Sequence, residues 1–370
     1  MARPTVAEVR LPAVRHNFRT LRSLLPRGTG VLAVVKANAY GHGAGPVART
    51  LEEEGARMLG VATVEEGVEL RQVGLRLPVV VLGGVDSLQA EEAHVRGLSA
   101  VLFHRAQVRD LARVAGKAGT PFPVHVKVDT GMGRLGLLPG EAYALLDELK
   151  AVRELRVEGW MTHLSCADGP APEDRDFTEG QLAGFAEGIP RVRDAFGAVA
   201  VHALNSAGIL RFRREPFDLV RPGIALYGYS PLPEGAATVP LQPVMRLVTK
   251  IVSLKDLPDG HPVSYNRRYR CAGRRRIAVV PVGYADGYRR GLTGRGRMSV
   301  SGRTVDVAGT VCMDHTMLDV TDVPEAAIGT EVEVMGEASM SADEIARLCG
   351  TIPYEVLTQV GRRVPRRTVG

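Results

Sequence analysis

The chain has 370 residues, 45% of them hydrophobic and 24% charged, with a formal net charge of +6, values ordinary for a globular protein long enough for two domains. No apolar run approaches the roughly 20 residues that a bilayer span needs. Arg3, Glu8 and Arg10 interrupt any secretory leader, and Cys166, Cys271, Cys312 and Cys349 form no CxxC pair, so a cytoplasmic protein without a disulfide framework, metal site or membrane association is expected. The basic clusters at Arg267–Arg268, Arg274–Arg276, Arg289–Arg290 and Arg362–Arg367 are dispersed and lack interleaved aromatics. They read as solvated faces or small-anion clamps, with no nucleic-acid partner.

In chain order, the apolar run Val31–Val35 reads as a buried strand that delivers Lys36 into a Gly-rich turn, with a helical stretch from Gly45 to Gly55 behind it. Runs at Met58–Ala62, Pro78–Leu82, Leu98–Phe103, Pro123–Val128, Val157–Thr162 and Val199–Leu204 read as further strands. Amphipathic segments such as Thr63–Val73, Arg105–Ala118 and Glu141–Val152 lie between them. That alternation predicts a parallel sheet. Six to eight such units, with no Gly-x-Gly-x-x-Gly after the first strand, favour a closed TIM-like (β/α)8 barrel, spanning residues 10–230, rather than a dinucleotide-binding open sheet. The Pro/Gly-rich segment Tyr229–Gly235 reads as a linker. Beyond it, short strands at Val244–Leu254, Arg276–Val282, Met298–Val300, Thr304–Val307 and Glu331–Val334 predict a mostly-β C-terminal domain over residues 236–370, which residues 1–9 are candidates to join. Helix in that domain is confined to Ser341–Cys349, where Ser341 followed by Glu344 is a capping box.

Lysine stands only at positions 36, 117, 127, 150, 250 and 255, and only Lys36 and Lys127 fall near strand ends that lead into Gly-rich turns. A lysine at the rim of a sheet can be desolvated, which lowers its pKa and equips it to form an imine. The competing reading is a solvated surface lysine. In a barrel the strand ends gather on one face. There fall Lys36, then Lys127, Asp129 and Arg134 around Thr130-Gly131-Met132-Gly133, then His163, Asn205, Ser206 and Arg221. Each alone fits a structural role; their joint placement points to a site. Gly223 and Ile224 stand where the chain turns into a short helix, whose N–H groups suit a phosphate, as do the hydroxyls of Ser206 and Tyr40. The Pro222-Gly223 pair equally fits a plain turn. In the C-terminal domain, Val282–Tyr288 sets Tyr284 in a Gly-flanked bend, and Gly309–Asp314 does the same for the Met313 N–H. A phenol with a pKa near ~10 needs cations or hydrogen bonds to serve as a base, and Tyr284 alone also fits a packing aromatic.

Together these segments resemble the alanine racemases, which use pyridoxal 5'-phosphate (PLP). The matching motifs are Ala33–Gly43, Lys127–Gly136, Asn205-Ser206, Arg221–Gly228, Gly283–Gly287, Cys312–Asp314, Tyr354–Val356 and Arg363–Arg366, and they run in family order through both predicted domains. The resemblance implies that Lys36 carries PLP as an aldimine, that Tyr40, Ser206, Gly223, Ile224 and Tyr354 hold its phosphate, and that Asn205 lies with them. It implies that Arg221 faces the pyridine nitrogen and that His163 links Arg221 to Tyr284. Arg134 and the Met313 backbone would receive the substrate carboxylate, and Lys127 matches a lysine that is often carbamylated in the family and steadies that arginine. The implied activity is interconversion of L- and D-alanine with Lys36 and Tyr284 as opposed bases, supplying D-alanine for peptidoglycan. A head-to-tail homodimer with shared active sites is implied as well. Ser264-Tyr265-Asn266 departs from the Ser-Tyr-Gly of many relatives and puts only a local loop in question. The rivals are a PLP decarboxylase for basic amino acids, a broader racemase taking serine or lysine, and a non-catalytic PLP carrier built on the barrel alone. The settings of Arg221 and Tyr284 speak against the decarboxylase, the presence of a second domain against the carrier, and crowding by Tyr284 and Tyr354 favours alanine.

Overall fold

A computed structural model describes residues 3–212, 217–233, 235–236 and 239–370; Glu234 of the expected linker and the first two residues lie outside that range. The chain divides into two compact units: Val14–Ala39 with Ala44–Gln242, and Met1–Ala13 with Tyr40–Gly43 and Pro243–Gly370.

In the first unit, the strands Gly30–Val34, Met58–Val61, Val79–Val81, Leu98–Leu102, Phe122–Lys127, Leu155–Met161, Ala200–His202 and Leu219–Val220 close into a parallel barrel. Several of these runs are almost wholly apolar because both faces are covered: every residue of Gly30–Val34, Val79–Val81 and Leu98–Leu102 is buried, Ser99 included. The last strand pairs back to the first through Gly30↔Leu219 and Val31↔Val220. Seven strands match the expected runs, and the eighth, Leu219–Val220, has no counterpart among them because two residues carry no period. Helices on the outside bury one stripe each; Ala44–Glu53 turns Val47, Ala48 and Leu51 inward. The helix Val64–Gln72 starts on a capping box in which Thr63 accepts from the Glu66 N–H. Trp160 packs between Tyr143 and Phe185, with stacked rings 6.4 and 6.1 Å away. This is the expected architecture, a closed (β/α)8 barrel followed in the chain by a mostly-β region.

The second unit is built on a six-stranded sheet in the order Arg303–Asp306, Arg297–Val300, Glu331–Met335, Met245–Lys250, Val6–Arg10 and Arg366–Val369. Val6–Arg10 pairs antiparallel with Met245–Lys250 and parallel with Arg366–Val369. Two expectations need correction. The run Val244–Leu254 is not one strand: it breaks at Ile251 and Val252, and Ser253–Leu257 joins a separate three-stranded sheet with Arg275–Val280 and Thr316–Asp319. Helix is not confined to Ser341–Cys349, since Pro353–Thr358 forms another, started by a proline at its first position. Ser341 caps Ala342–Cys349 as expected.

Candidate active site

Lys36 stands two residues beyond the strand Gly30–Val34, and the backbone after it does something unusual. Ala37, Asn38, Ala39 and Tyr40 have φ of 52°, 53°, 52° and 52°, one left-handed helical turn made without glycine. Each such residue costs about 1–2 kcal/mol. The turn is held by backbone and carboxylate contacts: Ala39 N–H donates to Val35 O (2.8 Å), Ala37 N–H to Glu66 Oε1 (2.5 Å), Ala62 N–H to Glu66 Oε2 (2.7 Å) and Ala44 N–H to Asn38 Oδ1 (2.8 Å). Strain that the surroundings over-determine is a mark of functional segments. Lys36 is half-buried. Burial pushes its pKa down, the charge of Arg134 pushes it further, and Glu66 only partly opposes them.

Lys127 ends the strand Phe122–Lys127 and is 5% exposed. Burial first, then Arg221 and Arg134, bring its pKa to about 8. The loop that follows is organised by Asp129, whose Oδ1 accepts from the N–H groups of Gly131, Met132 and Gly133 at 2.9, 2.8 and 3.1 Å. Burial would raise the Asp129 carboxyl, but these donors outweigh it and hold it below the usual range. Arg134 is presented from this loop, exposed at its surface.

Arg221 is 3% exposed and spends its guanidinium on the barrel. Its Nη1 donates to His202 O (2.7 Å) and His202 Nδ1 (2.9 Å). Its Nη2 donates to Thr162 O (2.5 Å), Ala203 O (2.8 Å) and His163 Nδ1 (3.3 Å). Desolvation brings even this pKa down to about 9. His202 reaches on to His125, Nε2 to Nδ1, at 2.9 Å. Burial and then the Arg221 charge hold His163 and His202 well below the ordinary histidine value, and His125 falls to about 4 for the same reasons. All three rings are therefore neutral. Since Nδ1 of His163 accepts from arginine, its proton belongs on Nε2.

Asn205 caps the helix Ser206–Arg211 by accepting from Gly208 N–H (2.9 Å). Ser206 Oγ accepts from Gly223 N–H (2.9 Å) and Ala225 N–H (3.3 Å), tying that helix start to the 3₁₀ turn Ile224–Tyr227. The structure thus brings Asn205, Ser206, Gly223 and Ile224 together, with the Gly223 N–H engaged by the serine. In the second unit Tyr40 and Tyr354 meet, rings 6.0 Å apart and tilted by 48°. Burial and then Tyr354 push the Tyr40 phenol pKa up. Tyr284 and Met313 also meet there, backbone to backbone: Tyr284 N–H donates to Cys312 O (3.0 Å) and Ala285 N–H to Met313 O (3.1 Å). Both side chains are exposed.

Sequence reading overlooked Glu66, His125 and His202, although each left a trace. His125 and His202 are polar residues inside predominantly apolar strand runs, and Glu66 is the third residue of a capping box. Cations gathered at strand ends, a desolvated lysine and carboxylates already committed to backbone N–H groups suit an anionic substrate and cofactor.

Relatives agree with this chemistry. The chain matches the family described as alanine racemase, N-terminal domain, over residues 9–231, and alanine racemase, C-terminal domain, over residues 244–368. It is 43% identical over 370 residues to the alanine racemase of Geobacter sulfurreducens, covering 99% of this chain and 97% of that one. Among solved structures it is similar to the alanine racemase of Clostridium difficile (TM-score 0.93, 33% identity, 100% of this chain and 96% of that one). It is also similar to the alanine racemase of Bacillus anthracis with bound L-Ala-P (TM-score 0.91, 34% identity, 100% and 96%). A strand-end lysine followed by family motifs in both units, over nearly the full length of these relatives, places the chain in the alanine racemase family.

Proposed function

We propose that this protein interconverts L- and D-alanine with PLP bound at Lys36, supplying D-alanine for peptidoglycan in the cytoplasm. One observation carries the reading. Lys127 feels the positive charges of Arg221, Arg134 and Lys36, and Lys36 feels that of Arg134, while Glu66 and Asp129 turn oxygens to backbone N–H groups. That leaves positive charge for a phosphate and a carboxylate, so the donor set fits a phosphorylated cofactor beside an amino acid.

Lys36 would hold the cofactor covalently, with Tyr40, Asn205, Ser206, Gly223, Ile224 and Tyr354 around its phosphate. When bound, PLP makes the amino acid's Cα proton acidic by spreading the resulting charge into its ring. Arg221 would stand at the ring nitrogen as a cation held on three carbonyls, and because a guanidinium gives up a proton far less readily than a pyridinium it would leave that nitrogen unprotonated. That would limit charge withdrawal into the ring and favour return of the proton to Cα. Inversion needs one proton handler on each face: the Lys36 amine for D-alanine and the Tyr284 phenol for L-alanine. His163, neutral with its proton on Nε2, is suited to donate a hydrogen bond to the Tyr284 oxygen. Arg134 and the Met313 N–H take the substrate carboxylate, and Lys127 as a carbamate steadies Arg134. Two copies arranged head to tail complete each site.

Racemisation of L- and D-alanine, with serine and lysine as controls, tests the activity. Borohydride should fix the cofactor to the peptide containing Lys36 and to no other, as peptide mass mapping would show. Equal rates on serine or lysine would move the assignment to a broader racemase, and absence of any turnover to a carrier.

A further inference from the structure

Within one chain Tyr284 is 41% exposed and Met313 52% exposed, so that chain's own side-chain packing does not fix where either one points. Their placement falls to the backbone beneath them, and that backbone is tied unusually tightly. Gly283 lies so close to the facing loop that a Cβ there would stand 2.3 Å from Cys312 O and 2.4 Å from Met313 O. Asp286, two residues after Tyr284, is fully buried and receives two arginines. Arg3 donates to it through Nη1 (2.5 Å) and Nη2 (2.7 Å), and Arg363 through Nε (2.7 Å) and Nη2 (3.2 Å). The Asp286 Oδ2 also accepts from Gly283 N–H (3.0 Å), which closes the turn around Tyr284. Burial would raise this carboxyl, but the hydrogen bonds from Arg3, Arg363 and Gly283 outweigh it and keep it ionised.

Arg363 does more than balance that charge. Its Nη2 also donates to Asp314 Oδ1 (2.7 Å) and lies 3.5 Å from Met313 O. One guanidinium therefore bridges the turn that carries Tyr284 and the loop that carries Met313. Arg3 anchors the other side, donating from Nη2 to Pro281 O (2.7 Å) just ahead of that turn. A lysine could not copy this, because only a planar fork serves two carboxylates and a carbonyl in fixed directions.

We propose that Arg363 and Asp286 are positioning residues for racemisation, a clamp that holds the Tyr284 phenol and the Met313 N–H as one rigid pair, with Arg3 as its second arm. The inference rests on Tyr284 being the base for L-alanine. If the clamp loosens, the phenol drifts from Cα while the Lys36 amine keeps its own face. The reaction should then split: inversion fails, but Cα of D-alanine still exchanges its proton with solvent and returns unchanged in configuration.

The test compares the full-length holoenzyme with Arg363→Gln, Arg363→Lys and Tyr284→Phe. It measures racemisation, deuterium incorporation into D-alanine without inversion, and amide hydrogen exchange across residues 283–287 and 312–314 before cofactor is added. Arg363→Gln should lose about 100-fold in racemisation, the scale of a 1 Å misplacement, while deuterium incorporation into D-alanine stays near wild type and the amides exchange faster. Arg363→Lys should fall between. Deuterium incorporation that drops in step with racemisation, or amide exchange unchanged in Arg363→Gln, overturns the clamp. Undiminished racemisation by Tyr284→Phe overturns the two-base reading instead, and amide exchange then decides the clamp by itself.

Discussion

Two buried cations show how far single residues can be pushed by removing water. Lys127 loses its proton near pH 8 because burial and the neighbouring arginines disfavour the ammonium. Carbamylation consumes the neutral amine and releases a proton, so it should strengthen as pH rises through that value and fade below it. With ¹³C-bicarbonate, a carbamate carbon signal should grow from about pH 7 to about pH 9 and vanish in Lys127→Ala. A signal that survives that substitution, or ignores pH, would remove the assignment. Arg221 makes a second case. Arg221→Met strips donors from Thr162 O, His202 O, Ala203 O and His202 Nδ1. Stranding buried acceptors costs roughly 1–3 kcal/mol apiece, so even with relaxation a loss of about 3 kcal/mol is expected in a denaturant titration of the cofactor-free protein. Arg221→Lys should recover part of it. Lys36 and Lys127 were legible in the sequence because lysines are so few and these two end strands. The histidines behind Arg221 were not, because what marks them is contact across the barrel, and His125 and His202 are 77 positions apart in the chain.

At the level of the element, the left-handed turn after Lys36 was invisible to pattern reading. Glycines at 41 and 43 announced a bend, yet the strain lies on Ala37 through Tyr40. Asn38 alone hinted at it, being a residue type that tolerates this region. Ala37 is exposed and offers a clean measurement. Ala37→Gly relieves about 1–2 kcal/mol of folded-state strain against roughly 0.5–1 kcal/mol of added freedom in the unfolded chain. A net gain of about 0.5–1 kcal/mol in unfolding free energy should follow. Ala37→Val should lower stability, since a β-branched residue is poorly accommodated at positive φ. Equal midpoints for all three proteins would show that the turn relaxes in solution. Long apolar runs were read correctly as strands because burial on both faces leaves an uninterrupted signature. Leu219–Val220 and Pro353–Thr358 escaped for lack of length, and Val244–Leu254 misled because two strands in different sheets abut with only Ile251 and Val252 between them.

For the whole molecule, the proposed head-to-tail pairing makes a quantitative prediction. Lys36→Ala and Tyr284→Phe chains should each be nearly inactive, but mixing them after unfolding and refolding should restore one intact site per mixed dimer. Random association makes half the dimers mixed, so activity should approach about one quarter of wild type. No recovery despite demonstrated exchange would mean that each copy completes its own site. The barrel and the mostly-β region were legible from alternation and from its end. The interleaving of the units was less so, because pairing between Val6–Arg10 and strands more than two hundred positions later leaves no local mark. That pairing also bears on how the protein is made. Val6–Arg10 emerges from the ribosome early, yet both neighbours that cover its edges, Met245–Lys250 and Arg366–Val369, are translated late. Residues 14–242, save for four, can condense into the barrel while that early strand waits with open edges. Ribosomes stalled once Leu219–Val220 has left the exit tunnel but before Met245–Lys250 has would therefore display a nascent chain whose barrel resists protease and whose Val6–Arg10 segment does not.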